Sequence, residues 1–335
     1  MKQFRKLKIG LPVLASLALA LSGCGAGSND NASPSASVSA SPPASASASA
    51  SPSGSGADAK RSFTDATGKA VEIPANPSRI AAVQYVGDML ALGVKPFITT
   101  NYYLDTYKTE LAGVASMGDR PVNAEKLLDS APDLILTDDL DDAAALEQLT
   151  KIAPTVSLTF WLNEPFAHLH SVAQLLGKEA EEKAWMADYE AAVASAKEKI
   201  TDKRQPDDTA LLLIASGKDL GLSGIRNGGY TLFTQLGFKA PDKLQKLIDK
   251  DPNFGFEAVS LEAIGDYQAD HIFIELDDDT DVTKETVKQL KDSGIWRNLP
   301  AVKNGRVYEV SNKWGLGDAT SMKEQLNEAV TAIGG

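Results

Sequence analysis

Apolar residues in this chain gather into short runs of strand length, separated by stretches with helical spacing. Residues 79–84, 94–99, 134–137 and 155–157 each read as a short buried strand. Between them, Met89 and Leu92 mark a helix that stops at Gly93, and residues 124–128 and 143–149 carry two more helical patterns. The same grammar returns later, with a strand over 210–215, a helix over 229–236 ended by Gly237, and a strand over 272–275. Strands alternating with helix-length segments predict βαβ units and parallel sheets. The longest helical pattern, 179–199, lies between the two halves and contains neither glycine nor proline. Trp185, Tyr189, Ala192, Val193, Ala196 and Ile200 recur on one face of it. The expected fold is therefore α/β: two lobes, each a parallel-sheet sandwich with flanking helices, bridged by one long α-helix. A cleft between such lobes is the natural place for a ligand.

The halves also share a register. Asn123-Ala-Glu125 precedes Asp133-Leu-Ile135, and Ser260-Leu-Glu262 precedes Asp270-His-Ile272, with the glutamate eight residues before the aspartate in both. Each segment has an N-cap residue, a glutamate in the first turn, a short helix and then a strand.

Composition changes the picture at the N-terminus. Residues 25–59 are almost wholly Ser, Ala, Pro and Gly, which cannot bury enough apolar surface to order themselves. As a flexible coil this segment would reach roughly 30–35 Å. Before it, Lys2, Arg5, Lys6 and Lys8 lead into an apolar run over 9–21, too short to span a bilayer as a helix. The run ends in Leu21-Ser22-Gly23-Cys24, which resembles a bacterial lipoprotein signal whose cysteine is lipidated and becomes the mature N-terminus. Cys24 is the only cysteine, so once it is lipidated no disulfide, thiol nucleophile or thiolate metal site is available. The formal net charge is −12, and the chain after residue 23 is four units more acidic. That argues against nucleic-acid binding and leaves the anchor, not a basic patch, to hold the membrane. The expected division is 1–23 signal peptide, 24–59 linker, 60–165 N-terminal ligand-binding lobe, 166–203 bridging helical region and 204–335 C-terminal ligand-binding lobe.

From Phe63 onward the chain resembles the substrate-binding proteins of iron–siderophore ABC importers, a type sharing a helical backbone with cobalamin and haem binders. The matching phrases include Asp65-Ala-Thr-Gly-Lys-Ala-Val-Glu-Ile-Pro74, Leu90-Ala-Leu-Gly-Val-Lys-Pro96, Glu125-Lys-Leu-Leu-Asp-Ser-Ala-Pro-Asp-Leu-Ile135 and Val259-Ser-Leu-Glu262. Trp296-Arg-Asn-Leu-Pro-Ala-Val-Lys-Asn-Gly-Arg-Val-Tyr308 adds a fifth. The resemblance implies a shallow cleft, limited closure, and a monomer anchored outside the cytoplasm that passes its ligand to permease subunits with an associated ATPase. It also implies that Glu125 and Glu262, one per lobe, meet arginines on the two permease subunits. First-turn glutamates also simply complement a helix dipole.

Candidate ligand contacts follow from loop position and from the resemblance. Tyr85 follows the first strand, Tyr102 and Tyr103 the second, and Trp161 the strand at 155, near the strand ends where α/β clefts open. Arg226 and Tyr230 lie in and after a glycine-rich loop that opens a helix, where a cation could meet an anionic ligand. In the family an aromatic at the position of Trp314 often faces the cleft, and an arginine in the loop of Arg120 reaches the ligand in hydroxamate binders. The alternative for Arg120 is a surface pair with Asp119. Trp185, Tyr189 and Trp296 are expected in the core.

No resident cofactor or directly bound metal is expected. His168 and His170 are two apart on a predicted helix and face different ways. His271 starts a strand, where a structural role is expected. Asp277, Asp279 and Asp281 lack the glycine and closing glutamate of a calcium loop. There is no serine elbow and no Walker A sequence, so ATP hydrolysis would belong to a partner. The resulting expectation is a binding protein, not an enzyme, that takes a ferric siderophore with its iron already chelated. Few cations fall in the cleft loops, which favours a hydroxamate or mixed-type siderophore over a triscatecholate. Haem or cobalamin on the same scaffold stays open, since Tyr85, Tyr102 or Tyr103 could ligate haem. A tethered envelope hydrolase and a sensor subunit are the more distant alternatives.

Overall fold

The computed structural model describes residues 59–160, 164–251 and 253–334. It opens with an antiparallel hairpin, β1 (Lys60–Thr64) and β2 (Ala70–Pro74). Asp65 builds its turn by accepting from the Thr67 and Lys69 amides at 2.9 and 3.0 Å.

The first sheet contains β3 (Ile80–Ala82), β4 (Ile98–Thr99), β5 (Ala115–Ser116), β6 (Leu134–Asp138) and β7 (Thr155–Leu158). All are parallel, in the spatial order β5-β4-β3-β6-β7. The strand expected over 94–99 shrinks to its last two residues. Val94 donates back to Met89 O and Pro96 has no N–H to offer a ladder.

The second sheet repeats this order with β8 (Ala210–Ser216), β9 (Asp219–Ser223), β10 (Phe256–Val259), β11 (His271–Leu276) and β12 (Val307–Val310), arranged β10-β9-β8-β11-β12. Its central strand again comes first in sequence. Here β8, β11 and β12 are parallel, but β9 and β10 run antiparallel. The second lobe is therefore mixed where an all-parallel sheet was expected. The cause is local: only Gly217 and Lys218 separate β8 from β9, and Gly217 takes φ 56°. Two residues can close a hairpin but cannot carry the crossover that parallel strands need.

The shared register seen in the sequence is built the same way twice. Asn123 accepts from the Lys126 amide at 3.0 Å, and Ser260 Oγ from the Ala263 amide at 3.3 Å. Asp133, entering β6, takes the Ser78 amide and hydroxyl at 2.7 and 3.0 Å, just before β3. Asp270, entering β11, takes the Thr209 amide and hydroxyl at 2.9 and 2.7 Å, just before β8. In both lobes this aspartate ties the starts of the two central strands together.

The long helix spans Glu179–Ile200. Its Trp185 and Met186 pack on the core of the first sheet, while Tyr189, Val193, Ala196 and Ile200 are buried with the second. The C-terminal helix, Ala319–Gly334, does the same: Ala319 joins the first core, and Met322, Leu326, Ala329 and Ile333 join the other. Two helices, not one, thus share apolar surface with both lobes. Trp296 is buried in the second lobe, as expected. Among the described residues no helix is long and apolar enough to cross a membrane.

Candidate functional site

A cavity of about 460 Å³ opens between the segments that follow the sheets' central strands. Gln84 and Tyr85 enter it directly after β3, Phe160 shortly after β7, Arg226 and Asn227 after β9, and the 315–318 segment after β12. These are C-terminal strand ends, except that β9 delivers its loop by running backwards. The place is where α/β sheets bind ligands.

Three of the four non-glycine residues with positive φ among the described residues line this cavity: Tyr85 (64°), Phe166 (62°) and Asn227 (52°). Left-handed backbone is costly for bulky residues and persists only where surrounding packing imposes it. Tyr85 and Phe166 each stand just ahead of a helix, Val86–Ala91 and Ala167–Leu176. The left-handed turn directs an aromatic ring at the cleft from a helix start. The Tyr85 hydroxyl donates to Leu158 O at 3.0 Å, and its ring lies 5.1 Å from that of His168. Phe166 meets Tyr230 edge-on at 6.3 Å and Tyr189 at 4.8 Å.

Of the residues expected to touch ligand, Tyr85, Tyr103, Arg226 and Tyr230 line the cavity. The Tyr103 hydroxyl donates to Gln84 Oε1 at 2.7 Å. Burial, aided by nearby Asp318 and Asp88, pushes the Tyr103 phenol well above its ordinary range. Tyr102 is 44% exposed and stacks edge-on against Tyr103 at 5.3 Å, outside the lining. Trp161 lies outside the described residues, as do Cys24 and the segments 1–23 and 24–58.

Arg120 and Trp314 lie outside the cavity lining. Arg120 does not line the cavity: its guanidinium clamps Asp138 at 2.7 and 2.9 Å and Asp141 at 2.8 Å. These carboxylates hold the guanidinium at the end of β6, and neither is the Asp119 named as the alternative. Trp314 is 0% exposed, stacked on Phe273 at 5.0 Å, with its indole N–H donating to Glu328 at 2.8 Å. It is core. Trp314→Phe is expected to lower stability by roughly 1–2 kcal/mol, since Glu328 loses a donor and some buried area goes. Ligand affinity should stay within about twofold in the same preparation. Thermal melting and ligand titration check both parts.

The glycines around Arg226 are close-packed rather than flexible. A Cβ at Gly229 would stand 1.7 Å from Gly224 O, and one at Gly228 would stand 2.8 Å from the Trp314 ring. Arg226 itself is tied down, with Nε donating to Asn253 O at 3.2 Å.

His170 and His271 lie away from the cavity, and His168, which lines it, is held by the protein's own groups. His168 reaches the Phe160 and Thr159 carbonyls at 2.9 and 3.1 Å through Nε2, and burial lowers its pKa. His170 points away, to Glu182 at 2.9 Å. His271 is held between Asp208 (3.0 Å) and Tyr308 (3.1 Å). The acidic turn is locally used: Asp278 accepts from Thr280 and Thr283, and Asp279 pairs with Lys284 at 2.7 Å.

Sequence reasoning missed the acids. Among the described residues, Asp88, Glu164 and Asp318 line the cavity against one guanidinium, that of Arg226. Glu275, on β11 behind Gly315, is fully buried, and neither carboxyl oxygen has a hydrogen-bond partner of good geometry among the described residues. Burial, reinforced by Asp277, pushes it up to about 9, with the Gly315 amide opposing the rise. It is a neutral acid at pH 7. A strand reading of residues 272–275 placed Glu275 but carried no sign that its carboxyl is shut away from water.

A family model described as periplasmic binding protein matches residues 81–313. The chain is 33% identical over 254 residues to the iron(3+)-hydroxamate-binding protein FhuD of Bacillus subtilis, covering 72% of this chain and 76% of that protein. Among solved structures it is similar, at TM-score 0.71 and 28% identity, to a FhuD fold-family protein described as a periplasmic binding protein component of a Fep/Fec-like ferrichrome ABC transporter from Bacillus subtilis. That match covers 81% of this chain and 99% of the other. Staphylococcus aureus SirA, solved with staphyloferrin B, aligns at TM-score 0.68 and 26% identity over 82% of this chain and 98% of its own.

Proposed function

This chain belongs to the periplasmic binding protein family and is a binding component, not an enzyme; on that premise we propose that it captures a ferric siderophore of hydroxamate type and delivers it to an ABC importer. The observation that carries this reading is the cleft's chemistry. Tyr85, Phe160, Phe166 and Tyr230 offer aromatic surface for an organic shell, while among the described residues three carboxyls line it with a single guanidinium. A triscatecholate or a polycarboxylate complex brings several negative charges and would meet repulsion there. A ferric trihydroxamate core is neutral and fits. The iron arrives chelated, and the protein recognises the shell. The relatives named for hydroxamate and ferrichrome point the same way.

Haem is disfavoured by the tyrosines. A phenolate ligand needs a lowered pKa, whereas burial raises the Tyr85 and Tyr103 phenols and the neighbouring acids raise them further. Cys24 would anchor the protein outside the cytoplasm through lipid, with residues 25–59 as its leash. Glu125 and Glu262, both exposed and one in each lobe, would dock on the two permease subunits.

Tryptophan-fluorescence titration with ferric hydroxamates, catecholates, citrate, haem and cobalamin tests the ligand class. Micromolar or tighter binding of the hydroxamates alone is the expected result. If no ferric chelate quenches at micromolar concentration, this function is wrong.

A further inference from the structure

We propose that Asp88 and Asp318 form a subsite for a protonated primary amine carried by the bound ferric chelate. The inference rests on the ferric-chelate reading above and adds a charge requirement to it.

The two carboxyls come from opposite ends of the chain. Asp88 is in the helix Val86–Ala91, and Asp318 immediately precedes the C-terminal helix. They meet because the two segments approach closely at Gly87, where any Cβ would stand 1.8 Å from Asp318 Oδ1. Both line the cleft.

Their partners leave a deficit of positive charge. Asp318 accepts from the Tyr107 hydroxyl at 2.7 Å, from the Ser321 amide at 2.9 Å and from the Ser321 hydroxyl at 3.2 Å. Asp88 Oδ1 accepts from the Ala319 amide at 3.1 Å. Asp88 Oδ2 has no partner, although the residue is only 1% exposed. Among the described residues no lysine or arginine forms an ion pair with either carboxyl. The charged and titratable groups around them are Tyr85, Tyr102, Tyr103, Tyr107 and Lys313. Lys313 is committed elsewhere, paired with Glu324 and lying over the Tyr107 ring at 5.0 Å.

A buried carboxyl atom without a donor costs free energy, and two adjacent acids cannot both ionise cheaply. Burial raises both of them and the neighbouring Asp318 raises Asp88 further, which favours a proton held on the pair before ligand enters. An ammonium entering from the cleft supplies three donors and one positive charge. It completes Asp88 Oδ2, and the pair's proton leaves to solvent while the amine keeps its own. A neutral chelate lacking the amine would bind on the aromatic walls alone.

Calorimetric titration at pH 7 in two buffers of different ionisation enthalpy tests this. The probes are the ferric complex of a linear trihydroxamate ending in a primary amine and the same complex with that amine acetylated. The amine form should bind at least about tenfold more tightly and release about one proton per ligand, against none for the acetylated form. In Asp88→Asn, which keeps the acceptor for the Ala319 amide, both the preference and the proton release should vanish. Its melting temperature should persist. If the variant does not fold, the comparison of the two ligands on the native protein still decides. Equal affinity with no amine-linked proton release overturns the subsite and leaves the ferric-chelate reading standing. Failure of both complexes to bind overturns that reading itself.

Discussion

Replacing Glu125 and Glu262 together with alanine is expected to reduce ferric-chelate uptake by about 100-fold or more, while affinity and melting temperature stay unchanged. Each glutamate is exposed in the first turn of its short helix, Ala124–Asp129 or Glu262–Asp266, beyond a capping Asn123 or Ser260. Neither forms an ion pair with a lysine or arginine among the described residues, so neither supports the fold through charge pairing. Glu262 is held below the usual carboxylate range by its own backbone amide and by Ser260, which keeps it ionised wherever a receptor would work. Leu128, beside Glu125, is a large apolar residue left 59% exposed. Removing one charge from a desolvated interfacial pair commonly costs tenfold or more, and two lobes engaging together multiply the loss. Uptake by cells carrying the matching permease, read beside binding by the purified protein, separates docking from capture. Undiminished uptake by the double variant would remove these residues from the docking surface.

The second large effect concerns pH and stability. Glu275→Gln should leave stability near pH 4.5 little changed and raise it progressively towards pH 9. The carboxyl is pushed up to about 9 in the folded protein, against an ordinary 4.5. The native state therefore holds a proton that the unfolded chain gives up. Its contribution is fully present below 4.5 and is lost as pH rises towards the folded value. At about 1.4 kcal/mol per unit, the loss amounts to roughly 3 kcal/mol by pH 7 as an upper figure. Glutamine keeps the shape and stays neutral throughout. Asp88 and Asp318 shift in the same direction, but they are present in both proteins, so the difference isolates Glu275. Melting temperatures from pH 5 to 9 should diverge by several degrees at the alkaline end. Parallel curves would mean that Glu275 is ionised or hydrated in place.

Much of the scaffold is legible along the chain. The runs around Ile80, Leu134, Leu211 and Ile272 are the central strands of the two sheets, and the periodic face from Trp185 to Ile200 is the bridging helix. The paired Asn123-to-Asp133 and Ser260-to-Asp270 segments reported a repeat that recurs as the same hydrogen bonds and the same strand order. The C-terminal helix was harder to see as a second bridge. Its apolar residues at 322, 326, 329 and 333 have helical spacing, but nothing local says that Ala319 belongs to the opposite core.

The site was less legible. Tyr85, Tyr103, Arg226 and Tyr230 follow from their places after strands. Trp314 occupies an equivalent loop position and faces the core, because Phe273 and Glu328 claim its ring and its N–H. Arg120 follows a turn near the cleft, and Asp138 at the end of β6, with Asp141 just beyond it, holds its guanidinium.

The alternation of strands and helices, the caps, the repeat and the loops that border a cleft are written locally along the chain. Those depend on periodicity and on hydrogen bonds between residues a few positions apart. That β9 reverses, that Gly87 admits Asp318, and that Asp88 and Glu275 are acids without adequate partners emerges only from the packing of distant segments. A side chain's electrostatic setting depends on what packs against it from elsewhere in the chain. For Asp88 that neighbour is more than 200 residues away.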